Sequence, residues 1–157
     1  MLKKMVSYFA REPDFMVGGK VDPYLLRWWI IPRNPIFNIY LHKFLRDDDD
    51  RALHDHPWLS LSIIIKGGYI EHTPNNGWRI CPRWSVIFRR ATHRHRIELL
   101  RERMTCEKTI VKPAWTIFIT GPRIREWGFW CEGVRFIPWQ KFTSPADKGE
   151  TGKGCDQ

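Results

Sequence analysis

The stretch Leu53-His54-Asp55-His56-Pro57-Trp58-Leu59-Ser60-Leu61-Ser62-Ile63-Ile64-Ile65-Lys66-Gly67-Gly68-Tyr69-Ile70-Glu71-His72 decides how the rest of the chain is read. Its middle, Leu59 to Ile65, is a β-type run closed by the Gly67-Gly68 pair, the pattern of a strand bounded by turn residues. Tyr69 to His72 follows as a second short run, and Pro74-Asn75-Asn76-Gly77 is a strong turn signal behind it. Ahead of the strand stands His54-Asp55-His56. Residues i and i+2 of a strand share a face, so these two imidazoles aim at one point, as two ligands of a divalent metal must.

The pattern repeats outward from there. Tyr24 to Ile31 and Asn38 to Phe44 are aromatic and β-branched, with Pro32-Arg33-Asn34-Pro35 between them. Trp84 to Arg89, His93 to Leu99 and Trp115 to Thr120 read as further strands, and Glu107 to Lys112 is ambiguous. Trp127 to Cys131 and Val134 to Phe142 read as a closing hairpin around Glu132-Gly133. Leu2 to Arg11 predicts a short N-terminal helix ended by Pro13, and residues 143–157 a polar, Gly-rich, disordered tail. About eight to ten short strands with turn signals between them predict an all-β sandwich or barrel, in one domain over residues 1–142.

Composition narrows the class. At 157 residues the chain is long enough for one sizeable core, and 43% hydrophobic residues argue against wholesale disorder. No run approaches the ~18 apolar residues of a membrane span, and the N-terminus lacks the apolar region of a signal peptide. A cytoplasmic protein without a membrane partner is the expectation. Cys81, Cys106, Cys131 and Cys155 lie far apart without a CxxC pair, which excludes a zinc ribbon and predicts reduced thiols.

A second His-x-His, His93-Arg94-His95, comes about forty residues after the first. A strand return can bring one or both of these imidazoles opposite the first pair. Two or three imidazoles with a carboxylate suit Fe(II), Mn(II), Zn(II) or Ni(II). His93 is open to two readings, a fourth ligand or a surface residue. The run Asp47 to Asp50 is a solvated loop or a cation-attracting lip.

The net charge is +9, from 26 basic and 17 acidic residues. Eight arginines against two glutamates lie between Arg79 and Arg103. Arginine suits bidentate recognition of carboxylate or phosphate, which makes Arg94 and Arg96, with Arg27 on an early strand, candidate contacts to an anionic small molecule; the alternative places most of them on outer strand faces. Tryptophans beside arginines also raise nucleic-acid binding, but most sit in strand patterns that favour a core role.

His54-Asp55-His56-Pro57-Trp58, the strand to Ile65, and Lys66-Gly67-Gly68 resemble the first motif of the cupin superfamily, and His95 sits where the second motif has its histidine. With Gly67-Gly68-Tyr69, His95 to Leu99, Trp115 to Pro122 and Trp127 to Trp139, the chain is most similar to small RmlC-like cupin proteins of bacteria and their phages, over roughly Tyr24 to Phe142. The resemblance implies a double-stranded β-helix, the jelly-roll barrel, holding a divalent metal (Fe(II) first, otherwise Zn, Mn or Ni) on His54, His56 and His95. It also implies a homodimer.

The motif is incomplete. Its metal-binding glutamate falls at Leu61, and its PxG reads Pro82-Arg83-Trp84. Glu71, inward by alternation from Tyr69, is therefore favoured as the replacement ligand over Glu98, which alternation turns away from His95. Without a replacement the site holds metal weakly or holds none. A metal-free cupin similar to sugar epimerases needs a tyrosine acid and a histidine base, and Tyr69 with His54 or His95 would supply them. Three functions follow: a metal-dependent oxygenase or isomerase for a small polar or anionic molecule, a non-catalytic small-ligand module, and a nucleic-acid-binding protein.

Overall fold

A computed structural model describes residues 11–48, 52–104, 109–144 and 150–156. The first strands are β1 (Phe15–Val17), β2 (Leu25–Trp29), β3 (Asn38–Phe44), β4 (Ala52–His54), β5 (Ser60–Lys66) and β6 (Gly68–Thr73). Next come β7 (Gly77–Pro82), β8 (Val86–Arg89), β9 (Arg96–Leu99), β10 (Arg101–Arg103), β11 (Thr109–Val111) and β12 (Ala114–Thr120). β13 (Gly128–Cys131), β14 (Arg135–Pro138), the short helix α1 (Trp139–Phe142), β15 (Thr143–Ser144) and β16 (Glu150–Thr151) complete the order.

One layer is a six-stranded antiparallel sheet in the order β1-β2-β3-β12-β5-β8. The other is made of two three-stranded sheets, β7-β6-β9 and β14-β13-β4. They meet at a bridge where His54 and His95 exchange backbone hydrogen bonds of 2.8 and 2.9 Å. The inner faces bury Leu25, Phe44, Ile64, Ile87 and Ala114 of the first layer against Tyr69, Cys81, Ile97 and Leu99 of the second. Each large apolar side chain buried this way contributes about 1.5–3 kcal/mol. Alternation along β12 shows the layering: Ala114, Thr116, Phe118 and Thr120 are buried, and Trp115, Ile117 and Ile119 are half-buried on the outer face.

Two turns fix the sequence order of β5, β6 and β7. Gly67 has φ +71°, and a Cβ there would stand 2.5 Å from the carbonyl oxygen of Pro113, so only glycine fits. Asn75 and Asn76 both take positive φ, as a tight hairpin turn requires.

Several expectations change. The jelly-roll barrel is an open sandwich, because among the described residues no ladder joins β8 to β7. The N-terminal helix lies outside the described residues, and the one described helix is α1, in the segment expected to finish the last hairpin. Part of the tail is ordered: β15 pairs with β16, and the Gly154 N–H bonds the Phe142 carbonyl. That return brings Cys155 to Cys131. The two form a disulfide across a sequence separation of 24, with Cα atoms 5.7 Å apart, so the expectation of reduced thiols is corrected for this pair. Cys81 is free and buried, and Cys106 lies outside the described residues. Disulfides belong with oxidising surroundings, so the cysteines no longer argue for the cytoplasm. No helix among the described residues is long and apolar enough to cross a membrane.

Candidate metal centre

Asp55, the residue between the first two histidines, is what orients them. It is fully buried and faces away from both. Its Oδ1 accepts the Gly128 N–H at 3.0 Å, and its Oδ2 accepts Arg125 Nη1 at 2.7 Å and Trp130 Nε1 at 3.0 Å. Arg125 Nη1 also reaches the Ala91 carbonyl at 3.2 Å, and the His56 N–H bonds that same carbonyl at 3.3 Å. The segment is thereby tied to β13 on one side and to the β8–β9 loop on the other.

His54, His56 and His95 each offer one ring nitrogen, and these three atoms all lie within 4.8 Å of one another. His56 Nε2 and His95 Nε2 are 3.0 Å apart. Cis ligands on an ion with bonds of ~2.1 Å stand about 3 Å apart, so the pair fits a shared cation. His95 is buried, whereas His54 and His56 are half-buried, so an ion can enter from their side. Phe118, Trp127 and Phe129 ring the cluster, with centroids 5.8 to 6.2 Å from the nearest imidazole. Burial, then neighbouring positive groups, holds His56 and His95 well below the ordinary histidine range. Both are therefore neutral near pH 7, the form that ligates metal.

Glu71 is inward and fully buried, but it is not one of the three converging groups. Oε1 accepts Arg89 Nε at 2.5 Å and Oε2 accepts Arg79 Nε at 2.6 Å. Oε1 also lies 3.0 Å from His95 Nδ1 and 3.5 Å from His93 Nε2, as electrostatic contacts rather than aligned hydrogen bonds. Burial opposes its charge, yet His93, His95 and Arg89 together hold its carboxyl far below the usual range. A carboxylate beside Nδ1 favours the proton there and leaves the Nε2 lone pair free, the arrangement common behind metal-bound histidines. Asp48 stands in a looser relation to His54, with Oδ2 3.7 Å from Nδ1.

The remaining candidates are dispersed. Tyr69 sits in the core, and its hydroxyl accepts Arg89 Nη2 at 3.1 Å; burial raises its pKa. Arg94 stacks on Trp130 at 3.4 Å and donates to the Gly133 carbonyl. Arg96 alternates away from His95 on β9. Glu98 bonds His72 and Arg101 outside the sandwich. Arg27 is half-buried; it donates to His42 Nε2 at 2.8 Å and lies over Tyr40. Burial brings its pKa down to about 10. No described carboxylate forms an ion pair with it. Ser60 and Thr120, opposite each other across β5 and β12, are buried with hydroxyls that no described group partners.

The side chains packed around the three histidines for which the sequence reading has no role are Asp55, Arg125, Arg89 and His42. Alternation along Val86-Ile87-Phe88-Arg89 is the one available signal for Arg89.

Solved structures give the fold. One is a putative mannose-6-phosphate isomerase from Ralstonia eutropha, at 13% identity and TM-score 0.52 over 73% of this chain and 94% of that one. An RmlC-like cupin protein from Desulfovibrio desulfuricans follows at 11% identity and TM-score 0.45, over 71% and 96%. The DMSP lyase DddQ from Ruegeria pomeroyi matches at 13% identity and TM-score 0.47, over 62% of this chain; the chain spans 47% of that enzyme's length. No protein-family model and no curated protein sequence matches the chain. The likeness to these structures concerns the fold alone.

Proposed function

We propose that the protein is a metal-dependent cupin acting on a small polar or anionic molecule, with His54, His56 and His95 holding Fe(II) or a similar divalent ion. The observation that carries this reading is the convergence of three imidazole nitrogens within 4.8 Å on a half-buried face. Imidazole donors suit iron, zinc, nickel and manganese. When bound, such an ion supplies Lewis acidity or, for iron, redox chemistry, the chemistry of an isomerase or an oxygenase.

The chain's own residues do the rest. Glu71 keeps the His95 proton on Nδ1, and Arg79 and Arg89 hold Glu71 in place. Tyr69 is a positioning residue that holds Arg89. Phe118 and Trp127 exclude water from the histidines. Arg27, which has no carboxylate partner among the described residues, is the natural anchor for an anionic group on the ligand. The hydroxyls of Ser60 and Thr120 are ready to take a polar oxygen.

Metal analysis of protein purified without a histidine tag tests the reading. About one ion per chain is expected, lost in the His54→Ala/His56→Ala double variant. Substoichiometric metal that is unchanged in that variant overturns it.

One observation favours a non-catalytic ligand-binding module instead. The inward slot after the first histidine pair is Ser60, and position 61 lies on the outer face opposite Phe88 and Ile119, so the site lacks the motif's carboxylate. That reading predicts a ligand-dependent rise in melting temperature with no turnover. Nucleic-acid binding is the weakest of the three, because Arg79, Arg83, Arg89, Arg94 and Arg101 are all engaged within the chain.

A further inference from the structure

The turn after β8 closes with the His93 N–H on the Arg90 carbonyl at 3.0 Å. Its second residue, Ala91, is buried, and the Ala91 carbonyl takes the His56 N–H at 3.3 Å and Arg125 Nη1 at 3.2 Å. The turn is thereby pinned from the inside, and Arg90 and Thr92 are left exposed on its outer side. A cavity of about 450 Å³ opens there, between Phe88 of β8 and Pro74 of the β6–β7 turn, with Arg90, Thr92, His93 and Arg94 completing its lining. Phe88 is 62% exposed and alternates with the inward Ile87 and Arg89, so the cavity lies on the outer flank of the sandwich. His93 is its wall toward the interior. Nε2 of that ring stands 3.5 Å from Glu71 Oε1, and Arg79 and Arg89 already hold this carboxylate. None of the six lining residues is acidic. Arg94 is positioned without being neutralised: its guanidinium lies on the Trp130 ring at 3.4 Å, and Nη1 donates to the Gly133 carbonyl at 2.8 Å. Among the described residues no carboxylate forms an ion pair with Arg90 or Arg94.

We propose that this cavity binds a small phosphomonoester, at a site separate from the metal centre and from the Arg27 anchor. Charge selects the head of the ligand. Two guanidinium groups with no acid beside them attract an anion, and their planar forks match phosphate oxygens. A phosphate near its second ionisation carries more charge than a carboxylate, so two cations favour it. Volume selects the rest of the ligand. The cavity falls in the ~300–1,000 Å³ range of small-molecule sites, and a bare phosphate would leave most of it unfilled. An organic body therefore accompanies the phosphate, and Phe88 with Pro74 gives that body an apolar wall. A nucleic-acid strand needs a tract of free cations, whereas the neighbouring Arg79, Arg83 and Arg101 are bonded within the chain. The inference is independent of metal at the histidines.

Calorimetric titration of the metal-free full chain with phenyl phosphate and with inorganic phosphate, at low and high salt, tests it. The expected result is one phenyl phosphate per chain, held about threefold or more tightly than inorganic phosphate through its ring and weakened by salt. Arg90→Ala is expected to weaken both ligands about tenfold. Phe88→Ala is expected to weaken phenyl phosphate and leave inorganic phosphate unchanged. Both positions are exposed, so the variants keep the fold, and an unchanged far-ultraviolet spectrum verifies this. Phenyl phosphate is expected to bind the His54→Ala/His56→Ala and Arg27→Ala variants as it binds the wild type. No saturable binding overturns the proposal, and so does binding that survives Arg90→Ala. Binding lost with the histidines or with Arg27 also overturns it, since the phosphate would then sit inside the sandwich. A single-stranded oligonucleotide that displaces phenyl phosphate and binds more tightly would overturn it in favour of a nucleic-acid contact.

Discussion

The two ends of the sandwich interior follow opposite rules. At one end Leu25, Phe44, Ile64, Ile97, Leu99 and Ala114 close over one another and need nothing but fit. At the other end His42, Asp55, Glu71, Arg89 and His95 are buried, and each of these five side chains faces a polar or charged partner. The same strands serve both. Along β5 the inward residues change from Ser60 and Ser62 to Ile64, and along β12 from Thr120 to Ala114. A buried charge is tolerated only when paired, so the apolar end stabilises the fold and the polar end gives up part of that stability to keep its buried groups paired.

Removing a partner at the polar end should therefore cost most. Glu71→Ala leaves Arg89, 2% exposed, without its carboxylate. A loss of about 3–5 kcal/mol is expected, read from urea unfolding; a loss under about 1 kcal/mol would mean that water replaces the carboxylate. Ile64→Ala at the apolar end is expected to cost about 3 kcal/mol through the cavity it opens, with metal affinity unchanged. A metal affinity that falls with it would mean that packing at the apolar end also sets the positions of the histidines.

The disulfide sharpens the contrast from outside. Cys131 packs with Ala52, Ile137 and Phe142 beneath the polar end, beside Phe129, and Phe129 stands next to His54. Closing a loop of this length contributes about 3 kcal/mol in the chain-entropy account, so Cys155→Ser is expected to lose nearly that much. The check is a thermal melt of each form with and without reductant. Equal melting temperatures would leave the tail without a structural role.

How far the sequence shows these two ends depends on the distance each pairing spans. Asn38 to Phe44 is found as read, because its own side chains carry the strand pattern. The inward turn of Glu71 is legible from Tyr69 two residues before it. β7 is not legible: its edge position leaves Trp78, Arg79 and Ile80 exposed, so no alternation marks it. Nothing local to Asp55 signals its role, since its partner Arg125 lies 70 residues away. Cys155 reads as part of a disordered tail because nothing local reports its return to Cys131. The histidine pattern is legible and the groups that hold it are not, because those are set by tertiary contact.

Titration tests the polar end as a whole. Burial, followed by Arg27 for His42 and by Arg89 for His95, holds both imidazoles well below their ordinary 6.5. The unfolded chain then binds protons that the folded chain refuses. Stability is complete above about pH 6.5 and falls as pH drops below it, by up to about 1.4 kcal/mol per unit for each group. Urea midpoints of metal-free protein from about pH 7.5 to about pH 5.5 check this. A flat profile would place these rings in water.

The smallest effect separates two ways a carboxylate can assist the histidines. Asp48 Oδ2 already accepts the Ile97 N–H at 2.7 Å and lies 3.7 Å from His54 Nδ1, too far to fix the ring. Glu71 lies 3.0 Å from His95 Nδ1. Asp48→Asn keeps an oxygen for Ile97 and removes only charge, so metal affinity should fall by about threefold, below the tenfold to hundredfold expected for Glu71→Gln. Competition with a chelator measures both. Unequal losses mean that a near carboxylate acts by orienting its ring. Equal losses mean that the acids act through the net charge of the centre, and then the looser of the two contacts is as much a part of the site as the closer one.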